Sequence, residues 1–257
     1  MKIYDCFIFF NELELLELRL MTLYNHVDYF VLVEAGTTFT GKNKEYYFEN
    51  NKEKFKNYLD KIIHIKIPKL PYENDAWGNE YFNRNAISQG LIESHDNDYI
   101  MISDVDEIPN PIVLKWGIER GFNFFILNQK LFYYYVNCLQ KQVWSGPVVT
   151  KRKDMKTPQE LRKMRGSRIN PLDEGGWHYS FLGGEERIKA KLEAYAETQT
   201  NNNTTNNNAH IIKCLETGGD LFNRKEEMFI KTFLPLNQLT HQELIEWLKK
   251  YPNMIKL

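Results

Sequence analysis

Asp104, Asp106 and Glu107 place three carboxylates within four residues, directly after the apolar run Tyr99-Ile100-Met101-Ile102 and just before Pro109. In an extended chain, side chains i and i+2 point the same way. Asp104 and Asp106 can therefore converge on one cation, while Glu107 points away or sits in the following turn. Carboxylates this close repel one another unless a metal or hydrogen-bond donors compensate them. Hard oxygen ligands suit Mg²⁺ or Mn²⁺, and an ion so held can neutralise charge developing on a diphosphate leaving group. Arg84, one helix upstream, is a cation that could approach the same phosphates; taken alone it reads equally as half of a surface salt bridge. An acidic strand-to-helix turn is also common as a merely solvated feature, so Asp-x-Asp by itself specifies little.

The elements before this stretch give it a setting. Cys6–Phe10 reads as a buried strand, and Leu13, Leu16, Leu20 and Leu23 recur at helical spacing as far as about Asn25. Tyr29–Val33 is a second apolar run without alternation, as expected of a strand covered on both faces. Asn51 can cap a short helix through Leu59, Ile63–Ile67 alternates as a third strand, and Trp77–Ser94 reads as a helix leading into Tyr99–Ser103. This alternation predicts a mostly parallel α/β sheet with crossover helices. In such sheets ligands bind beyond the carboxyl ends of the strands, where Glu12, Glu34 and the Asp104 cluster all fall.

After Asn110-Pro111, a helix start running to about Gly121, the second half reads as more antiparallel and the whole sheet as mixed. Strands are expected at Phe122–Leu127, Leu131–Val136 and Val143–Thr150, then a helix opened by the capping box Thr157-Pro158-Gln159-Glu160. In Asp173–Gly184, paired glycines flank an aromatic run that holds His178. Glycines permit tight turns and close backbone approach to a ligand, although a lone histidine there can equally be an ordinary hydrogen-bonded residue. Ile188, Leu192 and Tyr195 mark a further helix. Asn201–Asn208, six Asn and two Thr, is expected to be a mobile loop. Thr240-His241-Gln242-Glu243 should cap a last helix carrying Leu244, Ile245, Trp247 and Leu248. No repeat or linker interrupts residues 1–257, which read as one domain. Residues up to about 120 form one half, about 121–235 a second, and 236–257 a C-terminal helical extension.

Composition narrows the function class. A formal net charge of −1 gives no reason to expect nucleic acid or an anionic membrane as a global partner. Aromatic residues at 14% exceed what a core alone requires and favour sugar-ring stacking. Cys6, Cys138 and Cys214 show neither metal spacing nor a disulfide framework, and read as free thiols in a reducing compartment. With no signal-like or membrane-length apolar segment, the chain is expected to be soluble and cytoplasmic.

Five ordered blocks carry a resemblance to a known family. Tyr4–Leu20, with Cys6-Phe7-Ile8-Phe9-Phe10-Asn11-Glu12-Leu13 at its centre, resembles the opening of glycosyltransferase family 17. Val27–Ala35 with Thr38-Phe39-Thr40-Gly41 is similar to the next block, and Trp77, Glu80, Arg84 and Asn85 to the one after. Ile102–Pro109 and Gly175–Gly183 complete a match over roughly residues 4 to 225. The family includes the animal enzyme that adds the bisecting N-acetylglucosamine to N-glycans. The resemblance implies a GT-A-like fold, with residues up to about 120 as the nucleotide-sugar-binding half and about 121–235 as the acceptor-side half, UDP-N-acetylglucosamine as donor, transfer with inversion, and a glycan acceptor that contains mannose in the animal case. The chain is expected to depart from animal members in lacking their membrane anchor and stem, and the Asn-rich tract reads as a local insertion.

The resemblance also suggests roles. Asp104 and Asp106, with Val105 between them, would hold Mn²⁺ (or Mg²⁺) and the diphosphate, and Glu107 would orient them or bind ribose. Glu12 and Glu34 stand where base or ribose contacts are expected, and Arg84 where phosphates lie. His178 would be a further metal ligand or diphosphate contact, and Trp144 and Trp177 would stack on sugar rings. Inverting displacement needs a general base; Glu185 is the first choice, with Glu174 and Asp173 as alternatives. Two other classes remain compatible with these residues: a catalytically inactive, metal-dependent carbohydrate-binding protein, and an Asp-x-Asp phosphohydrolase.

Overall fold

A computed structural model describes residues 1–257. The first half runs β1 (Ile3–Phe9), α1 (Leu13–Leu23), β2 (Tyr29–Ala35), a single turn α2 (Tyr47–Asn50), β3 (Ile62–Ile67), α3 (Ala76–Asn85) and β4 (Tyr99–Asp104). The second half continues with β5 (Glu107–Pro109), α4 (Pro111–Glu119), β6 (Phe124–Tyr133), β7 (Cys138–Lys151), α5 (Pro158–Lys163) and β8 (Pro171–Leu172). It ends with β9 (Gly176–Ser180), α6 (Glu185–Ala194), α7 (Asn208–Thr217), β10 (Lys231–Phe233) and α8 (Leu244–Lys250).

The main path of the sheet is β3-β2-β1-β4-β7-β6-β9-β5. β3, β2, β1 and β4 are parallel throughout, the crossover arrangement expected from the sequence. β7 lies antiparallel to both β4 and β6, which makes the sheet mixed. Both faces of the parallel half are covered. Phe7, Leu32 and Met101 pack with Leu16 and Leu20 of α1 and Leu114 of α4. Cys6, Val31, Val33 and Ile102 pack with Ile87, Leu91 and Leu161 on the opposite face. Double coverage is why these strands are apolar without alternation. No helix is long and apolar enough to cross a membrane.

Several local expectations change. The strands expected at Phe122–Leu127 and Leu131–Val136 are one strand, β6, because Asn128, Gln129 and Lys130 stay paired with Ser145, Trp144 and Val143 of β7 despite their polarity. The expected helix from Trp77 to Ser94 leaves α geometry after Asn85 and becomes a 3-10 turn over Ala86–Leu91. A Cβ on Gly90 in that turn would lie 2.5 Å from Val31, so its backbone sits directly on β2. Asn51 makes no capping bond, and Lys52–Lys61 is 3-10 rather than α-helical. Asn110 and Thr157 do cap α4 and α5, accepting from the amides of Ile112 at 3.0 Å and Glu160 at 3.1 Å.

The Asn-rich tract is built of hydrogen-bonded turns in which Asn202 Oδ1 accepts from the amides of Thr204 and Thr205. Its Asn207 then caps α7, a helix absent from the sequence reading, by accepting from His210 N at 3.2 Å. The capping box at Thr240 does not form. Thr240 Oγ1 accepts from Trp177 Nε1 instead, and α8 starts only at Leu244.

Candidate active site

A cleft of about 620 Å³ opens at the carboxyl ends of β1, β2 and β4. Its walls include Phe10 and Glu12 after β1, Thr37 to Phe39 after β2, Asn83 and Arg84 of α3, Arg162 of α5 and Lys191 of α6. Asp104, Val105 and Asp106 line it as well. β4 runs beside β1 with Asp104 opposite Ile8, so the acidic turn begins where the central strand stops.

A fully buried arginine moulds that turn. Arg19, on α1, pairs through Nε and Nη2 with Asp5 at 2.8 and 2.5 Å. Nη2 also donates to Ser103 Oγ at 2.6 Å, and Nη1 donates to the carbonyls of Asp104, Val105 and Glu107 at 2.9, 3.2 and 2.9 Å. Three backbone carbonyls drawn to one guanidinium fold the chain between β4 and β5.

The two aspartates are held by different cations. Asp104 accepts from Arg84 Nη2 at 2.9 Å and from Arg162 Nη2 at 2.8 Å. Burial alone would raise its carboxyl, but Arg162 and Arg84 outweigh that and hold it well below the usual carboxylate range. Asp106 accepts from Lys191 Nζ at 2.7 Å and stands 3.5 Å from His178 Nε2. Burial again works against the charge, and Lys191 and His178 again depress the carboxyl strongly. In return the Lys191 ammonium, itself penalised by burial, is pushed above its normal value chiefly by Asp106. Both aspartates are anionic across the neutral range.

Glu107 is not a cleft residue. It is 0% exposed and accepts from Arg162 at 2.8 and 2.5 Å, from Trp144 Nε1 at 2.7 Å and from Asp104 N at 3.2 Å. A carboxylate with its lone pairs so engaged orients its neighbours and has no capacity left for ribose. Glu34 is also 0% exposed. It accepts from Phe48 N at 3.0 Å and from His64 Nε2 at 3.2 Å, behind the strand end rather than in the cleft. Its position in β2 turns it onto the α2 side of the sheet.

Trp177, expected to stack on a sugar ring, does not line the cleft. Its ring lies flat on His241, with centroids 3.9 Å apart and planes 6° apart, inside the core. Trp144 does line the cleft, its ring 4.5 Å from that of His178 and under the guanidinium of Arg165 at 4.7 Å. Glu12 lines the cleft, with Oε2 accepting from the amides of Phe10 and Asn11. Glu185 stands half-buried in the first turn of α6, outside the main cleft. A small side recess is bounded by Glu12, Asp106, Lys191, Leu182 and Arg187, and Glu185 does not line it. Asp173 accepts from Asn128 Nδ2 and Glu174 pairs with Lys130, both away from the cleft.

The structure gathers no set of three His, Cys, Asp or Glu side chains as a metal site, so the expected trio Asp104, Asp106 and His178 is not assembled as such. Asp106 and His178 stand together, whereas Asp104 belongs to the arginines. Mg²⁺-like ions are commonly held by one or two carboxylates plus substrate phosphates rather than by an all-protein cage. The donor chemistry of Asp106 and His178 fits an ion of that kind, with Lys191 as the cation it would displace. Three buried polar atoms along the wall have no hydrogen-bond partner: Asn83 Oδ1, Arg84 Nε and His178 Nδ1. Buried polar groups are nearly always satisfied, so each of these three has hydrogen-bonding capacity left over.

Sequence reasoning missed Arg162, Lys191, Arg19 and Asn83. The available signal was positional. Lys191 precedes Leu192 and follows Ile188 by three on the buried edge of α6, and Arg162 sits one residue after the buried Leu161.

The family model of glycosyltransferase family 17 matches residues 1–254. No curated protein matches the chain. Among solved structures, the 2-C-methyl-D-erythritol 4-phosphate cytidylyltransferase of Francisella tularensis is similar at 12% identity with a TM-score of 0.36, over 71% of this chain and 90% of that one. The family match spans every residue of the cleft, from the β1 end to Arg224. The chain therefore belongs to glycosyltransferase family 17 and is a glycosyltransferase, acting on a sugar donor and an acceptor.

Proposed function

We propose that the protein transfers N-acetylglucosamine from UDP-N-acetylglucosamine to a glycan acceptor with inversion, and that a divalent ion, Mn²⁺ or Mg²⁺, assists. The observation that supports this reading is the meeting of Arg84, Arg162 and Lys191 with Asp104 and Asp106 at the end of β4. A nucleoside diphosphate leaving group gains negative charge as the sugar departs, and fixed cations facing it stabilise that charge at little reorganisation cost. Asp106 with His178 would hold the ion, which when bound supplies Lewis-acid neutralisation of the diphosphate. Lys191, which stands beside Asp106, would offer its ammonium to a phosphate oxygen. Trp144 offers a ring face to a sugar beside His178.

Inversion by direct displacement needs a base on the acceptor side. Glu185, in the first turn of α6 and near Leu182 and Arg187 of the recess in sequence, keeps that role in this proposal. Glu12, which lines both the cleft and the recess, is the residue to compare with it.

The test is donor hydrolysis without acceptor: the protein with Mn²⁺ and a panel of nucleotide sugars, following release of the nucleoside diphosphate. Metal-dependent release from UDP-N-acetylglucosamine is expected. Release from another nucleotide sugar alone would overturn the donor assignment. Asp106→Asn should lower kcat by about 10²–10³-fold, the scale for losing an electrostatic group of this type, with the circular dichroism spectrum unchanged. Glu185→Gln at near-normal transfer would move the base to Glu12.

A further inference from the structure

Two asparagines lie one turn apart on the same face of α3, and they are treated differently. Asn79 is saturated: Oδ1 accepts from Tyr72 N at 2.9 Å, and Nδ2 donates to the carbonyls of Phe39 at 2.9 Å and Tyr72 at 2.8 Å. Asn83 is equally buried, at 2% exposure, and its Oδ1 has no partner. Leaving a buried amide carbonyl unpaired is costly, and an apolar side chain of the same size would remove that cost. Asn83 is among the residues that line the cleft.

Its position along the cleft narrows the ligand. The next residue, Arg84, reaches Asp104 in the zone assigned to the diphosphate. One turn back, Asn79 is tied to Phe39 in the loop after β2. Asn83 thus lies on α3 between the turn that meets Phe39 and the arginine that meets Asp104, and Ile8, Ala35, Thr37 and Phe39 line the same cleft. Glu34, one of the two residues expected at base or ribose contacts, is turned away onto Phe48 N and His64. An unpartnered carbonyl oxygen requires an N–H or O–H donor, and the adjacent amide nitrogen is a donor itself.

We infer that Asn83 reads the nucleobase, its Oδ1 accepting the N3–H of uracil and its Nδ2 donating to O4. Asn83 is thereby a specificity-determining residue for a uridine nucleotide. This rests on the proposal that the donor is a UDP-sugar.

The experiment is isothermal titration of UDP, UMP, CDP, GDP and inorganic pyrophosphate, with Mg²⁺, into the wild type and Asn83→Leu, with thermal midpoints of both proteins. The wild type should prefer UDP to CDP and GDP. Asn83→Leu should weaken UDP and UMP by about 10–100-fold, the scale for a lost hydrogen-bond pair in a buried site, while pyrophosphate affinity stays within twofold. Its midpoint should hold or rise, since the substitution removes an unsatisfied buried group; a purely structural asparagine would lower it. UDP affinity equal to wild type in Asn83→Leu overturns the inference. So does an equal loss for UDP and pyrophosphate, which would mean a general disturbance of the cleft. Absence of any nucleoside diphosphate binding by the wild type itself would overturn the proposed donor along with it.

Discussion

At the scale of residues, the acidic motif works as part of a charge lattice. Arg162 is its hinge, bridging buried Glu107 and half-buried Asp104 with one guanidinium. Removing one partner of a buried pair leaves the other charge uncompensated and typically costs about 3–5 kcal/mol, more than the pair itself contributes. Arg162→Met should therefore lose about that much in urea unfolding. Adding Glu107→Gln should recover part of it, because the stranded charge is then gone; strictly additive losses in the double variant would show that the two residues are not coupled. Little of this was legible in the sequence. Asp104 and Asp106 announce themselves by spacing, but an arginine or lysine on a short amphipathic helix reads as surface. Only the fold reveals that Arg162 and Lys191 turn inward.

Elements position these residues through close backbone approach. β9 carries His178 to Asp106 by pairing with the short strand β5 on one side, with Glu107 opposite His178 and Ile108 opposite Trp177, and with β6 on the other. At the start of β9, Gly176 has φ +140°, and a Cβ there would come 2.2 Å from Ile108 O and 2.8 Å from Asn110 N. No side chain fits without parting the two strands. Gly176→Ala should cost more than about 3 kcal/mol, combining positive-φ strain with the clash, and should weaken donor binding because His178 moves with its strand. A thermal midpoint close to wild type would contradict that account. The paired glycines pointed to this tight approach in the sequence, as did the strand rhythm of the parallel half, where covered strands are uninterrupted apolar runs. The path through Asn128-Gln129-Lys130 was hidden because polar residues inside a strand look like a break. Here the pairing with β7 carries the strand past them.

The whole molecule is closed by its C-terminal segment, which crosses α1 and β9. Trp247 Nε1 donates to Glu14 O at 2.9 Å, and Lys250 and Tyr251 reach Glu17. The segment is anchored by His241, which is stacked on Trp177 and lies in the plane direction of Tyr179. One ring nitrogen is 2.8 Å from Thr22 Oγ1, the other 3.0 Å from Tyr179 Oη, and the one carboxylate near it, Glu243, is 3.6 Å from Nε2. Burial pushes its pKa down from 6.5 to about 3. The neutral ring belongs to the folded state, so its contribution is fully present above pH 6.5 and is lost as pH falls toward 3. In that window the unfolded chain binds one more proton than the native one, and stability drops with acidification by about 1.4 kcal/mol per pH unit. Between pH 7.5 and 5 the loss from this single group amounts to about 2 kcal/mol. His241→Gln does not titrate, so its stability at pH 7.5 should be lower, from lost stacking, but its decline to pH 5 should be shallower by that amount. Urea unfolding of both proteins at the two pH values measures the difference. Parallel declines would mean that His241 protonates within the fold and that the C-terminal strap is held by Trp247 and the Glu17 contacts alone.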